Sequence, residues 1–353
     1  MKIGILTWFF GNNYGARAHT YALRNVICKL GYECEFVNFI PKKGFLINIL
    51  TNINAGNPVK HPIRTFRCLI RCVKFSIDKK LNPFGKKVFD GKELDLLGYD
   101  AIVIGSDAVL NIHHPQFETI YYGDGIEKTP FITYAPSSEY MKEGEMPDSH
   151  LENHISNAYA LSARDNITKS ILEKMTGRDV KKVLDPAFLY DFSDISKRIK
   201  EDHYLLIYSF SDWNQYSEMI KQYAKSNNLK IVSVGRYCSW ANKSYDVISF
   251  KQWIGSFENA DVVFTDSFHG VVFSVKNHKQ MIVTARKDKE YKIRDLMDTL
   301  SIDNFQFFKG ESVNEYLAKN RINYNFVSVS LEKMIKESLD YLKKSLYGAC
   351  KER

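Results

Sequence analysis

The stretch DVVFTDSFHGVVFSVKNHKQMIVTA, residues 261–285, decides the fold of this chain. DVVFTD, 261–266, is an apolar run ending in polar residues and reads as a buried strand. FHGVVFSVKN, 268–277, reads as a helix, and QMIVTA, 280–285, as a second strand. A strand that returns to another strand through a helix favours parallel pairing, and repeated pairs of this kind make an α/β sheet.

The same alternation runs outward in both directions. KIGILTW (2–8), the glycine-containing turn FFGNNYG (9–15), a helix to Gly31 and CEFVNF (34–39) form a first strand–helix–strand unit. DAIVIGSD (100–107), FITYAPSS (131–138), a helix, the short strand AYALSAR (158–164), the helix DNITKSILEKMTG (165–177) and KKVLDP (181–186) follow. A polar stretch, DFSDISKRIKEDH (191–203), reads as a connection. Beyond it YLLIYSF, LKIVSVG and the opening stretch restart the pattern. The expectation is two Rossmann-like, doubly wound domains. The first spans 1–197 with a basic insert at 42–92, and the second spans 198–327. An amphipathic C-terminal helix, 328–353, is expected to pack back on the first domain.

Composition limits the function classes. Of 353 residues 25% are charged and 44% hydrophobic, as in ordinary globular proteins. The longest apolar runs are too short to span a bilayer, and the start reads as a strand better than as a secretion signal. The six cysteines form no CxxC pair and read as reduced thiols, with no structural metal. Ten basic and two acidic residues lie between 60 and 92, against a net charge of +8 for the whole chain. There Ile63, Phe66, Leu69, Ile70, Val73 and Ile77 share one helical face, and Arg64, Arg67, Arg71 and Lys74 the other. This basic amphipathic helix is read either as a solvated face over a core stripe or as a dock for an anionic membrane surface. No nucleic-acid module accompanies it, so no nucleic-acid partner is expected.

In doubly wound sheets ligands bind beyond the carboxyl ends of the strands, and the polar clusters of this chain fall there. They are Asn13, Tyr14 and Gly15 with Arg17 after the first strand, Ser106 and Asp107 after AIVI, Ser137 and Ser138 after FIT, Arg164 after ALSA, and Thr265 to Gly270 after DVVF. The glycine pattern is neither a dinucleotide fingerprint nor a Walker loop, so it makes no case for NAD or ATP. If a helix starts at Phe268, Ser267 is its N-cap and His269 lies in its first turn. Free backbone N–H groups and the positive dipole end would then favour an anion, which Gly270 would let approach closely. The alternative is that Asp266 and Ser267 cap the helix while His269 is hydrogen-bonded in the core. Arg164 offers a planar fork for carboxylate or phosphate, or a salt bridge to Asp165 or Asp185. Asp107 could accept a sugar hydroxyl or its proton, or simply close an Asx turn.

Taken in order, NYGA…YAL, GSDAVLN, YAPSS, SARD, VLDP and TDSFHGVVFS resemble the polysaccharide pyruvyl transferase family over about residues 3–300. The resemblance implies a two-domain, GT-B-like fold. It also implies transfer of pyruvate from phosphoenolpyruvate onto two hydroxyls of a sugar, giving a cyclic ketal and phosphate. Phosphoenolpyruvate is then a substrate, and no cofactor or metal is expected. The family's acidic residue matches Asp107, its arginine Arg164 and its motif histidine His269, with the acid and base roles of Asp107 and His269 left open. Asp266 and Ser267 join the substrate-binding set. Ser267 stands where many relatives carry arginine, and Arg17 and Arg286 are the candidates for the missing cation. Ala108 and Leu110 depart from the usual GSDQVWN, as Ala18 and His19 do from the Leu-Gln common after NYGA. A lipid-linked oligosaccharide acceptor at the inner membrane face, reached by a cytoplasmic enzyme through residues 60–92, completes the expectation. The rivals are a GT-B glycosyltransferase using a nucleotide sugar and a non-catalytic glycan-binding or assembly subunit of the same fold.

Overall fold

The computed structural model describes residues 1–8, 13–41, 67, 69–70, 72–74, 82–139, 141, 144–211, 213–285, 290–302 and 304–352. The chain divides into two compact units: Met1–Asn52, Lys79–Tyr190 and Glu332–Arg353 form the first, and Ile53–Asp78 with Asp191–Leu331 the second.

The first unit carries a parallel sheet of five strands in the order β3-β2-β1-β4-β5. These are β1 (Lys2–Leu6), β2 (Glu33–Phe39), β3 (Phe84–Val88), β4 (Ala101–Ile104) and β5 (Phe131–Thr133). β6 (Ser162–Ala163) and β7 (Lys181–Lys182) make a separate parallel pair. The second unit repeats the design, with β8 (Tyr204–Tyr208), β9 (Lys230–Val234), β10 (Lys243–Tyr245), β11 (Val262–Thr265) and β12 (Gln280–Val283) in the order β10-β9-β8-β11-β12. Numbered from its own first strand, each sheet therefore runs 3-2-1-4-5. The order reverses between β1 and β4 in one unit and between β8 and β11 in the other. Those are the topological switch points where doubly wound folds open a crevice.

Strands covered on both faces can be apolar throughout. Every residue of β4 and of β8 is buried, which is why AIVI and YLLIY read as continuous runs. In the second unit Trp253, fully buried on the helix Phe250–Glu258, meets Tyr208 at 5.3 Å, Phe257 at 5.1 Å and Phe273 at 4.7 Å between ring centroids. These edge-on contacts tie β8 to the helix Phe268–Lys276.

Two features differ from the sequence reading. The domain limits at 197 and 327 move, because the first unit runs to Tyr190 and takes back residues 332–353. Residues 332–352 belong to the helix Tyr324–Glu352, and they pack back on the first unit as expected. Ser338 accepts a hydrogen bond from the Leu184 N–H at 3.0 Å, and the Tyr341 hydroxyl donates to the Thr133 carbonyl at 3.0 Å. Of the basic insert, expected in the first domain, residues 42–52 and 79–92 stay with the first unit, and 53–78 group with the second. There Arg67 pairs with Asp246 at 3.3 Å and lies over the Tyr237 ring, while Lys74 donates to the Val247 carbonyl at 2.9 Å. Leu69 and Val73, assigned to the core stripe, are 48% and 58% exposed. The face reading is thus inverted for these residues, because ion pairing satisfies the basic groups inside the unit. Arg64, Arg71, Ile63, Phe66 and Ile77 lie outside the described residues.

Candidate active site

In the first unit the site is built on the loop after β4. Gly105 has φ +117°, and a Cβ there would fall 2.3 Å from the Tyr134 carbonyl oxygen, so the close approach of the β4 and β5 loops requires glycine. Asp107 follows at φ +73°. Its carbonyl accepts from the Ser137 N–H at 2.8 Å, and the neighbouring Pro136 carbonyl accepts from the Arg164 N–H at 3.1 Å. One segment, 136–137, thereby holds the backbones of Asp107 and Arg164 side by side.

Their side chains meet as a charged network. Arg164 Nη2 lies 3.5 Å from Asp107 Oδ1, and Arg164 Nη1 donates to Asp185 Oδ2 at 2.8 Å. Asp185 is buried and also accepts from the Ala187 N–H at 3.0 Å. Burial works against the Arg164 charge, but Asp185 first and Asp107 next outweigh it and hold the guanidinium above its ordinary pKa. The salt bridge to Asp185 considered from the sequence is therefore present, and the fork faces two carboxylates of its own unit.

His19, on the helix Tyr14–Lys29, completes the cluster and is absent from the sequence-derived site. Its Nδ1 is 2.7 Å from Ser106 Oγ and its Nε2 3.4 Å from Asp107 Oδ2. The only signal in the sequence is the replacement of the Leu-Gln common in relatives. Ser106 is fixed in turn through its carbonyl, which accepts from Thr7 Oγ1 at 3.0 Å. Because Thr7 follows β1 and Ser106 follows β4, this bond spans the switch point. Imidazole and guanidinium thus flank a carboxylate that keeps 17% of its side-chain surface exposed, and the Ser106 hydroxyl holds the imidazole by its other nitrogen.

The other expected residues of this unit serve its frame. Asn13 caps the helix, its Oδ1 accepting from Gly15 and Ala16 N–H at 2.9 and 3.3 Å. Tyr14, Gly15 and Arg17 are buried in its first turns. Ser137 and Ser138 are buried, not lining a ligand surface: Ser137 donates to Asp165 at 2.7 Å and Ser138 Oγ is 3.0 Å from Thr168 Oγ1. They shape the loop that presents Asp107.

In the second unit TDSFHG lies at the other switch point. The helix begins at Phe268 with Ser267 as N-cap, and His269 sits in the first turn, 6% exposed. Two expectations need correction. Asp266 does not cap this helix: it is fully buried and accepts from the Phe210 and Ser211 N–H groups at 2.8 and 2.7 Å and from the Ser211 hydroxyl. It therefore ties the β11 loop to the β8 loop. Gly270 does not open the backbone to a ligand, because a Cβ there would fall 2.1 Å from Thr265 Oγ1, inside the strand–helix packing. Ser267 makes no side-chain capping bond, and the first turn holds no acidic residue. An anion is what such a helix start accommodates best. Arg286 lies outside the described residues.

Comparisons with known proteins give the family. A family model described as polysaccharide pyruvyl transferase matches residues 13–288. A search of curated proteins finds no match. Similar solved structures include UDP-GlcNAc 2-epimerase from Methanocaldococcus jannaschii, with 11% identity, 95% of this chain and 93% of that chain covered and a TM-score of 0.48. The enzyme of the same name from Neisseria meningitidis, bound to UDP-GlcNAc, has 11% identity, coverage of 96% and 99% and a TM-score of 0.47. E. coli heptosyltransferase WaaC with ADP has 11% identity, coverage of 91% and 100% and a TM-score of 0.41. The class of two Rossmann-like, doubly wound units rests on the strand order of each unit.

Proposed function

The chain belongs to the polysaccharide pyruvyl transferase family, and on that premise we propose that it moves pyruvate from phosphoenolpyruvate onto two hydroxyls of one sugar, closing a cyclic ketal. The observation that carries the reading is the Asp107 carboxylate held beyond β4 between His19 Nε2 at 3.4 Å and Arg164 Nη2 at 3.5 Å. A carboxylate so placed, with the Arg164 guanidinium beside it, can take a proton from an attacking hydroxyl. Arg164 acts here through Asp107 as a positioning residue. The start of the helix Phe268–Lys276, with His269, suits the phosphate of the donor.

The reaction balances without an external reductant or oxidant. A proton adds to the methylene carbon of phosphoenolpyruvate, turning it into a methyl group and leaving positive character on C2. One sugar hydroxyl bonds to C2, the C2–O bond to phosphate breaks, and the neighbouring hydroxyl closes the ring. Of the two hydroxyl protons released, one balances that consumed at carbon and the other leaves with phosphate. Asp107 is the group we assign to the hydroxyl, and His269 the group we assign to the departing phosphate. A lipid-linked acceptor belongs to the same proposal, and the exposed Leu69 and Val73 give residues 60–92 an apolar contact for a membrane surface.

Phosphorus NMR tests the reading directly. Phosphoenolpyruvate is incubated with the protein and a panel of aryl and lipid-linked galactosides and N-acetylhexosamines. Free phosphate that appears only with an acceptor, together with a new ketal carbon in the product, is the expected result. Turnover of a nucleotide sugar with the same panel, and none of phosphoenolpyruvate, would instead establish the glycosyltransferase reading.

A further inference from the structure

Three side chains of the first unit, remote in sequence from every residue used above, converge on one point. His150 and His154 lie four apart on the helix Ser149–Ile155, so both rings leave the same face. Their Nε2 atoms are 3.3 Å apart. Asp124 closes the group, its Oδ1 lying 3.3 Å from His154 Nε2 and its Oδ2 4.0 Å from His150 Nε2. One ligand atom from each residue can be chosen so that all lie within 4.8 Å of one another.

The spacing fits a metal ion better than a chain of hydrogen bonds. The single hydrogen available at His154 Nε2 cannot point at both Asp124 and His150, yet both stand within 3.3 Å of that nitrogen. A tetrahedral ion with metal–nitrogen bonds of about 2.0–2.1 Å sets its neighbouring ligand atoms about 3.3 Å apart, the length of two edges of this triangle. The carboxylate is also held for the purpose. Thr119 Oγ1 donates to Asp124 Oδ2 at 2.5 Å and the Asp124 N–H donates to the Thr119 carbonyl at 3.4 Å, which orients Oδ1 toward His154. Two imidazoles and a carboxylate favour a borderline cation of the zinc class over magnesium or calcium, which prefer oxygen.

We propose that Asp124, His150 and His154 bind one zinc-class divalent cation, with a fourth position open to water. The His150 side chain is 62% exposed, so the ion can exchange with solvent. The ion joins the helix Ser149–Ile155 to the turn Thr119–Tyr122 and its following loop, which otherwise meet through packing.

Equilibrium dialysis of the tag-free chain against micromolar zinc, with metal quantified by mass spectrometry, tests the site without reference to turnover. One equivalent is expected for the unmodified protein. His150→Gln, His154→Gln and Asp124→Asn should each lower the affinity at least about tenfold, while His113→Gln, whose ring pairs with Glu145 elsewhere, leaves it unchanged. Circular dichroism of each variant verifies that the fold persists, and His150→Gln, at the most exposed position, keeps the test valid if the others unfold. No zinc uptake by the unmodified chain, or uptake unaltered in every cluster variant, would overturn the site and leave an ordinary imidazole–carboxylate pair.

Discussion

The two switch points have the same topology and use their aspartates in opposite ways. In the first unit a neutral bond, Thr7 Oγ1 to the Ser106 carbonyl, joins the loops after β1 and β4, and Asp107 is left to face His19 and Arg164. In the second unit a like bond, Thr265 Oγ1 to the Tyr208 carbonyl, joins the strand ends, but the carboxylate is engaged as well, since Asp266 takes the N–H groups of Phe210 and Ser211 from the loop after β8. A carboxylate spent on backbone donors is a strut. One that faces an imidazole and a guanidinium can exchange a proton. Strand order alone does not distinguish these outcomes, and the partners of each oxygen do.

The largest expected effect tests whether the first cluster is as charge-balanced as its distances indicate. Arg164 is buried, and Asp185, at 2.8 Å, is its closest carboxylate. Asp185→Ala takes away the guanidinium's 2.8 Å carboxylate, keeps the longer contact to Asp107, and also removes the cap on the Ala187 N–H. Breaking a buried pair by removing one partner costs about 3 kcal/mol or more, so urea unfolding should show a loss of that order. A loss below about 1 kcal/mol would mean that Asp107 or solvent already carries the balance.

Replacing each aspartate by its amide sharpens the contrast between the switch points. Asp107→Asn keeps the shape and removes the charge, and phosphate release from phosphoenolpyruvate should fall about a hundredfold. Its unfolding free energy should move by about 1 kcal/mol or less, because Arg164 keeps its 2.8 Å bond to Asp185 and the contacts weakened are 3.4 and 3.5 Å long. Asp266→Asn turns an amide N–H, at a fully buried position, toward one of the two backbone donors it must accept from, and stability should drop by about 2 kcal/mol. Equal stability losses in the two variants would erase the distinction between a strut and a proton acceptor.

The central strands of both sheets were legible in the sequence because burial on two faces leaves unbroken apolar runs. The edge strands β3 and β10 were not, unlike β5 and β12 at the opposite edges. β3, FGKKV, and β10, KSY, lie at the outer edge of each sheet and carry lysines, as exposed edges do, so no apolar run marks them. The location of the site was legible for a related reason: polar residues right after an apolar run mark a strand's carboxyl end. The partners of those residues were not, since Asp107 meets His19 across 88 positions of chain and Asp266 meets Ser211 across 55. HLENH, 150–154, shows the same limit. Its histidine spacing is visible in the sequence, but the carboxylate that gives it meaning is Asp124. Gly270 failed differently, because a glycine that admits a ligand and one that admits a neighbouring strand look alike in sequence.

The smallest expected effect lies at the other end of the TDSFHG helix. Lys276 is its last residue, where the dipole favours a cation, yet the ammonium is partly buried beside the Phe192 ring. Burial lowers its pKa from 10.5 to about 8, and Asp191 only partly opposes the shift. Below about pH 8 both folded and unfolded chains carry the proton, so the folded state bears the whole cost of burying the charge. Between about 8 and 10.5 the unfolded chain holds the proton and the folded one releases it, so stability rises with pH across that window. Lys276→Met keeps the length and drops the charge. It should raise stability near pH 7 by about 1 kcal/mol, after allowance for solvent screening, and flatten the rise at alkaline pH. Urea titrations of both proteins at pH 7 and pH 10 measure the difference, and a lysine variant that loses stability at both would show that the dipole outweighs burial at this end.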